Sequence, residues 1–209
     1  MKRSLRKALA TVASLEGLSG SLLNASGGNS VRSLLVTSGR DGEGKTTMAV
    51  GIAAALARQS RNPVLLVDVN FRHPALATWF GVASEPGFRE FLTSQTGEEI
   101  FHATGESGLF MLAAGHRGSL PELLAALPLK LKALLERFAY IVLDGDSTLT
   151  SSDTALFARH VDGVVLVAEC ERTKRGVIVQ AQARLGGHLL GVALNKRKLY
   201  IPGVFYGKR

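Results

Sequence analysis

The sequence predicts an α/β fold, a doubly wound and mostly parallel sheet with helices on both faces. Two observations support this class. Six short segments are continuous apolar runs, which is the pattern of strands buried on both faces of a parallel sheet. Segments of helical composition fill most of the gaps, so strands and helices alternate along the chain. We therefore expect ligands to bind at the carboxyl ends of the strands.

The predicted strands are short and rich in valine and leucine. In chain order they cover residues 33–38, 63–69, 108–113, 140–144, 163–168 and 188–194. Helices are predicted at residues 46–59, which are rich in alanine, and at 120–138, 152–160 and 173–185. Residues 81–107 lack a clear period, which indicates short helices joined by loops.

The net charge of +8 lies at the two ends of the chain. Residues 1–10 and 196–209 together hold nine basic side chains and no acid, so the 16 basic and 17 acidic side chains elsewhere nearly balance. Basic ends favour contact with a membrane surface, a nucleic acid or an acidic partner, or simply aid solubility.

Composition also bears on the compartment. The single cysteine, Cys170, cannot form an internal disulfide, which favours a reducing cytoplasm. The longest apolar run, residues 48–57, is shorter than the roughly 18 residues that a membrane-spanning helix needs. We therefore expect a chain that neither spans a membrane nor is secreted.

A phosphate-binding loop (P-loop) lies between the first predicted strand and the first predicted helix after it. Residues 39–46 read GRDGEGKT, which fits G-x(4)-G-K-[ST] in full. Glycines let backbone N–H groups surround phosphate oxygens, Lys45 can reach the β- and γ-phosphates, and the Thr46 hydroxyl can ligate Mg²⁺. The sequence therefore predicts a P-loop NTPase fold that binds a nucleoside triphosphate with Mg²⁺. The expected nucleotide contacts are those of Gly39, Asp41, Gly42, Glu43, Gly44, Lys45, Thr46 and Thr47.

Two further strands end in an aspartate. VLLVD ends at Asp68 and YIVLD ends at Asp144. A P-loop needs a carboxylate near its metal ion, because Mg²⁺ and its waters are held by oxygen ligands. Each aspartate could instead form a turn or cap a helix, but two of them beside a full P-loop favour a metal role.

Several segments in order resemble the bacterial tyrosine kinase family (BY-kinases) of capsule and exopolysaccharide export. They are GEGKTT after a strand, LLVDVNFRHPAL, the pattern G-x(5)-P-E-L-L at residues 115–124, YIVLD, VDGVVLVAE and LLGVALN. The resemblance runs from about residue 33 to the C-terminus. This family lies within the wider MinD/ParA-like group of P-loop ATPases.

The resemblance implies a cytoplasmic ATP- and Mg²⁺-dependent kinase that works at the inner face of the membrane. Its partner would be a membrane-embedded chain-length determinant or activator protein, homo-oligomers are possible, and no nucleic-acid partner is expected. Lys45 and Thr46 would contact phosphate and Mg²⁺, and Asp68 and Asp144 would hold Mg²⁺. The remaining assignments are Asn70 at the position of a family acid, Arg72 as the arginine of D-x-D-x-R, and Asn195 near the adenine.

The resemblance also divides the chain and locates acceptors. Residues 1–30 form an N-terminal helical or linker segment, residues 31–195 the ATP-binding kinase-like domain, and residues 196–209 a basic tail. That tail holds Tyr200 and Tyr206, the candidate phosphoacceptors, which a flexible tail could present to an active site. The apolar residues of the tail could equally pack it onto the body.

The sequence departs from the family at three places. Asn70 replaces an acid, and its carboxamide cannot accept a proton or add negative charge. Ser147 replaces a proline, and residues 16–22 lack both arginines of the family's oligomer-forming E-x-x-R-x-x-R helix. These departures leave two alternatives to an active autokinase: a catalytically weak ATP-binding regulator of a polysaccharide synthesis complex, or a MinD/ParA-like ATPase switch.

Overall fold

The computed structural model describes residues 3–10, 31–60, 62–93 and 100–197. The strands in these ranges are β1 Ser33–Ser38, β2 Val64–Asp68, β3 His102–Ala103, β4 Leu109–Leu112, β5 Tyr140–Ser147, β6 Gly163–Glu169 and β7 Leu189–Asn195. The α-helices are α1 Arg3–Ala10, α2 Lys45–Ser60, α3 Leu76–Phe80, α4 Phe88–Thr93, α5 Leu120–Arg137, α6 Asp153–Ala158 and α7 Arg175–Leu185. A short 3₁₀ turn, Gly186–His188, joins α7 to β7.

One twisted sheet contains all of these strands, in the order β3-β4-β2-β5-β1-β6-β7. Every neighbouring pair is parallel except β3 with β4. The prediction of a doubly wound, mostly parallel sheet is therefore confirmed. The carboxyl ends of β1, β2, β5, β6 and β7 meet at one edge of the sheet, where ligands of such folds bind.

Two apolar layers cover the two faces of the sheet. On one face Leu34 and Val36 of β1 pack with the apolar side of α2, and Leu5 and Ala8 of α1 join the same layer. On the other face Leu35 packs with residues from α4 to α7. Because side chains alternate along a strand, one short apolar run supplies both layers. This explains why the strands have no polar face.

The end of β5 differs from the prediction. A strand was expected to stop at Asp144, but pairing with β1 continues to Ser147, and the Thr148 N–H donates to the Ser38 carbonyl at 2.8 Å. The register shifts between Val36 and Ser38, which indicates an extra residue in β5. Polar residues therefore continue this strand into the ligand-binding edge.

The segment before β4 also differs, since β3 was not predicted. It has only two residues, His102 and Ala103, and such a strand is too short to show a period. The rest of that region fits the expectation of short helices and loops, with α4 inside it. The division of the chain at residues 30 and 195 stays a prediction.

The outer strand β7 exposes apolar side chains. Leu190, Val192 and Leu194 are between 42% and 64% exposed. Among the described residues, no helix combines the length and the apolar character needed to cross a membrane.

Candidate nucleotide-binding and kinase site

The P-loop joins β1 to α2 and closes against the end of β7. Gly44 has a φ of +97°, and a Cβ at this position would collide with the side-chain amide of Asn195. Only glycine fits both the backbone conformation and the space. The Asn195 amide in turn donates to the Glu43 carbonyl at 3.0 Å. Asn195 therefore fixes the loop, at the sheet end where the sequence located it.

The lysine of the motif is buried at the start of α2. Its ammonium lies 3.2 Å from an Asp41 carboxylate oxygen, which also accepts a hydrogen bond from the Ser147 hydroxyl at 2.6 Å. The Ser147 bond and the Lys45 ammonium lower the pKa of Asp41, against the effect of its partial burial. An anionic oxygen thus already occupies a position beside Lys45, as a phosphate oxygen would.

The two strand-end aspartates lie side by side. Asp68 and Asp144 are paired in the register of β2 and β5, and neither is exposed. Asp68 accepts three backbone hydrogen bonds, from Asn70 at 3.1 Å, Ala75 at 2.9 Å and Leu76 at 3.0 Å. Burial raises the pKa of Asp68 to about 6, although those hydrogen bonds act in the opposite direction.

Asp144 has the more unusual surroundings. Neither of its carboxylate oxygens has a hydrogen-bond partner among the described residues. Burial, and next the negative charge of Asp68, raise the pKa of Asp144 well above its usual range, with the Thr46 hydroxyl and the Lys45 ammonium opposing them. A buried, unpartnered carboxylate is costly unless a cation or polar ligand joins it.

These carboxylates suit a magnesium ion that arrives with a nucleotide. In the part of the chain that the structure describes, no three His, Cys, Asp or Glu side chains form a metal cage of their own. Mg²⁺ commonly takes one or two carboxylates together with substrate phosphates and waters. The unpartnered oxygens of Asp144, near Thr46, fit that donor set.

The segment after β2 brings the remaining predicted side chains to the same edge. Asn70 is 4% exposed, and its side-chain oxygen accepts the His73 N–H at 3.2 Å. Arg72 donates to the Thr150 carbonyl at 3.0 Å, and its guanidinium lies 3.7 Å from Asp146. Arg72 therefore links the end of β2 to the segment that follows β5.

A second set of contacts, which the sequence did not predict, holds the tip of the P-loop. The Lys196 ammonium lies 2.6 Å from the Gly42 carbonyl and 2.9 Å from Glu169. The Thr173 hydroxyl donates to Glu43. All five residues of these contacts line a cavity of about 380 Å³ beside the loop. The cavity is also lined by three basic side chains, those of Arg40, Arg172 and Lys174.

Most of the predicted site residues are thus brought together. The P-loop, Thr46 and Thr47 of α2, Asp68, Asn70, Arg72, Asp144 and Asn195 lie at one sheet edge. Tyr200, Tyr206 and residues 16–22 lie outside the described residues. Sequence reasoning missed Asp146, Lys196, Glu169 and Thr173 as neighbours of the site. For Asp146, Lys196 and Glu169 the available signal was their position at the end of a strand or directly after it, whereas Thr173 lies in the loop between β6 and α7.

Comparison with known proteins agrees with this geometry. Residues 34–196 match the CobQ/CobB/MinD/ParA nucleotide-binding domain family. Tyrosine-protein kinase YwqD of Bacillus subtilis is 30% identical over 176 residues, which cover 81% of this chain and 74% of YwqD. The chain belongs to the bacterial tyrosine-protein kinases.

Solved structures support the same membership. The VpsO kinase domain is 33% identical, with a TM-score of 0.78, and the match covers 94% of this chain and 97% of that domain. The kinase domain of Escherichia coli tyrosine kinase ETK is 26% identical, with a TM-score of 0.80, and the match covers 91% and 78% of the two chains. The family match of this tyrosine kinase includes the whole site and ends before Tyr200.

Proposed function

We propose that this tyrosine kinase binds ATP with Mg²⁺ at the P-loop and phosphorylates tyrosines, Tyr200 and Tyr206 of its own tail among them. The strongest support is the buried Asp144 carboxylate, whose unpartnered oxygens lie near Lys45 and Thr46. A fold that keeps such a group next to a P-loop is arranged for a metal-bound polyphosphate.

Each side chain has a role in this proposal. Lys45 contacts the β- and γ-phosphates, Thr46 ligates Mg²⁺, and Asp68 and Asp144 hold it directly or through water. Thr47 contacts the α-phosphate side and Asn195 faces the adenine. The glycines Gly39, Gly42 and Gly44, with Asp41 and Glu43, form the backbone cradle of the phosphates.

The reaction is a phosphoryl transfer. The tyrosine oxygen bonds to the γ-phosphorus as the bond from that phosphorus to the bridging oxygen breaks, and ADP leaves. Bound Mg²⁺ supplies charge neutralisation at the phosphate oxygens. The phenolic proton goes to water or to an acid of the site, because the Asn70 carboxamide cannot accept it. Arg72 and Lys45 position the phosphates and offset their charge.

The biological setting belongs to the same proposal. The kinase regulates capsular or exopolysaccharide synthesis and export from the cytoplasm, next to a membrane-embedded chain-length determinant that activates it. Its basic ends support contact with the anionic inner face of the membrane. The similarity to proteins named as tyrosine kinases supports this function over an inactive regulator or a MinD/ParA-like switch.

Incubation of the purified protein with labelled ATP and Mg²⁺ tests the proposal. Label is expected on tyrosine, it should be lost in Lys45→Met, and it should fall in the double variant Tyr200→Phe/Tyr206→Phe. Lys132→Met, an exposed lysine on α5, is the matched control and should keep full labelling. The cytoplasmic segment of a candidate activator is added in a parallel set.

Two outcomes would contradict the proposal. Phosphate released to water without labelled protein would indicate an ATPase switch. Tight Mg²⁺-nucleotide binding with neither labelling nor hydrolysis, with the activator segment present, would indicate a regulatory module.

A further inference from the structure

Asp146 is a buried acid at the kinase site that the proposed function leaves without a role. It lies in β5, two residues after Asp144, and is 4% exposed. The register shift between β1 and this part of β5 marks a bulge, a feature that re-aims side chains next to ligand sites. The negative charge of Asp146 contributes to the raised pKa of Asp144, so the two carboxylates are close neighbours.

One oxygen of Asp146 has an ion-pair neighbour but no hydrogen-bond partner among the described residues. Its Oδ1 accepts the Ser147 N–H at 2.7 Å, whereas Oδ2 is buried and has no hydrogen-bond partner in the described ranges. The nearest cation, Arg72, is 3.7 Å from that oxygen. A buried carboxylate oxygen in this state costs free energy, which a bound water or cation would offset.

Position 70 is buried like Asp146 but holds no charge. Asn70 is as buried as Asp146, but it is uncharged, and its side-chain oxygen is already occupied by the His73 N–H. Its own backbone N–H donates to Asp68, so position 70 also borders the two paired acids. The site therefore has no charge at residue 70, whereas it holds one at residue 146, where the ion pair with Arg72 leaves Oδ2 without a hydrogen bond.

We propose that Asp146, a carboxylate of β5, supplies the negative charge that position 70 lacks. It acts on nucleotide-bound Mg²⁺ through the waters of that ion. Arg72 lies 3.7 Å from Asp146, and Asp146 acts electrostatically on Asp144, the predicted metal ligand. Mg²⁺ keeps several of its waters, so a carboxylate acts on it without direct contact. This inference rests on the proposed binding of ATP with Mg²⁺.

The measurement is calorimetric affinity for the β,γ-imido analogue of ATP, with Mg²⁺ and with EDTA. The ratio of the two affinities reports how strongly the site couples metal to nucleotide. Asp146→Asn keeps the Ser147 hydrogen bond but removes the charge, and should lower the ratio roughly 10- to 100-fold, the usual cost of losing an outer partner of a metal site. Metal-free affinity should stay equal or become tighter, because a negative charge is removed.

Charge relocation and a control make the test specific. The double variant Asn70→Asp/Asp146→Asn returns an acid to position 70 and should restore the ratio. Asp153→Asn, in the first turn of α6, makes the same chemical change outside the site and should leave the ratio unchanged. Metal-free thermal unfolding of each variant verifies that the fold is kept.

An unchanged ratio in Asp146→Asn, or a ratio that the double variant fails to restore, would overturn the role of Asp146. Failure of the proposed function would give a different result, because the wild-type chain itself would then show no affinity for the nucleotide with Mg²⁺.

Discussion

At the scale of single residues, the site is a set of charges whose partners are incomplete. Lys45 is paired with Asp41, Asp68 accepts three backbone hydrogen bonds, and Asp144 has no hydrogen-bond partner among the described residues. A phosphate bound at the P-loop would compete with Asp41 for Lys45. The protein therefore exchanges an internal anion for an external one, which limits the net free energy of binding.

The raised pKa of Asp68 predicts how stability depends on pH without metal. The carboxyl titrates at 3.8 when unperturbed and at about 6 in the fold. A carboxyl whose pKa rises on folding favours the folded state while it is protonated. Its contribution is therefore fully present at low pH, below the unfolded pKa, and is lost as pH rises through the folded pKa. Asp144 acts in the same direction.

Urea unfolding of metal-free protein and of Asp68→Asn, from pH 4 to pH 7, measures this effect. The free energy of unfolding of Asp68→Asn should rise relative to wild type across that interval, by on the order of 1–3 kcal/mol. Parallel curves for the two proteins would contradict the assignment.

At the scale of helices and strands, sequence pattern was sufficient where burial is continuous. Six of the strands, and the helices from α2 onward that were expected, lie within a few residues of their predicted bounds. Apolar runs correctly indicated burial on both faces for five of these strands, whereas β7 has an apolar run although it is exposed. β3 was missed because two residues carry no period. The end of β5 was missed because polar residues after Asp144 read as a loop, while pairing with β1 keeps them extended.

The candidate site was predictable only as far as local motifs extend. The P-loop and the strand-end acids follow from short patterns in the chain. The contact of Lys196 with Gly42 joins residues 154 positions apart, and that of Glu43 with Thr173 spans 130 positions. Such contacts depend on which strands are neighbours in the sheet, and no local pattern contains that information.

The contact between β7 and the P-loop yields a prediction at this scale. Lys196→Met removes the ammonium from Gly42 and Glu169, which should loosen the loop tip and weaken nucleotide affinity by about 3- to 10-fold, or up to about 1.4 kcal/mol. The melting temperature should change little, since Lys196 is partly exposed. Calorimetry with the ATP analogue and Mg²⁺ measures the affinity.

Lys196→Arg keeps the charge and is the matched control, with affinity close to that of the wild type. Equal losses in the two variants would mean that the length of the lysine side chain, rather than its charge, holds the loop. An unchanged nucleotide affinity in Lys196→Met would show that the contact between Lys196 and Gly42 does not contribute to binding.

At the scale of the whole molecule, the ligand site joins elements from distant parts of the chain. β1, β2, β5 and β7 each end at the nucleotide edge, and the two apolar layers hold these strands in register. A ligand that contacts all four ends stabilises the entire sheet. Ligand binding should therefore raise the melting temperature of the whole domain.

A thermal-shift measurement tests that expectation. With the ATP analogue and Mg²⁺ at 100 times the dissociation constant, the folded state gains about 2.7 kcal/mol, and a chain of this length should melt about 5–10 °C higher. Lys45→Met should lose most of the shift while its ligand-free melting temperature stays near that of the wild type. Equal shifts in both proteins would place the ligand elsewhere.

The left-handed backbone of Lys196, with a φ of 58°, fixes where the chain leaves the sheet. Because its side chain is held at the P-loop, that exit point lies beside the nucleotide edge. Covalent geometry then limits Tyr200 to a radius of about 14 Å from this anchor, whereas Tyr206 has a tether of about 35 Å. The two candidate acceptors therefore differ in how far covalent geometry lets each one lie from the P-loop contact of Lys196.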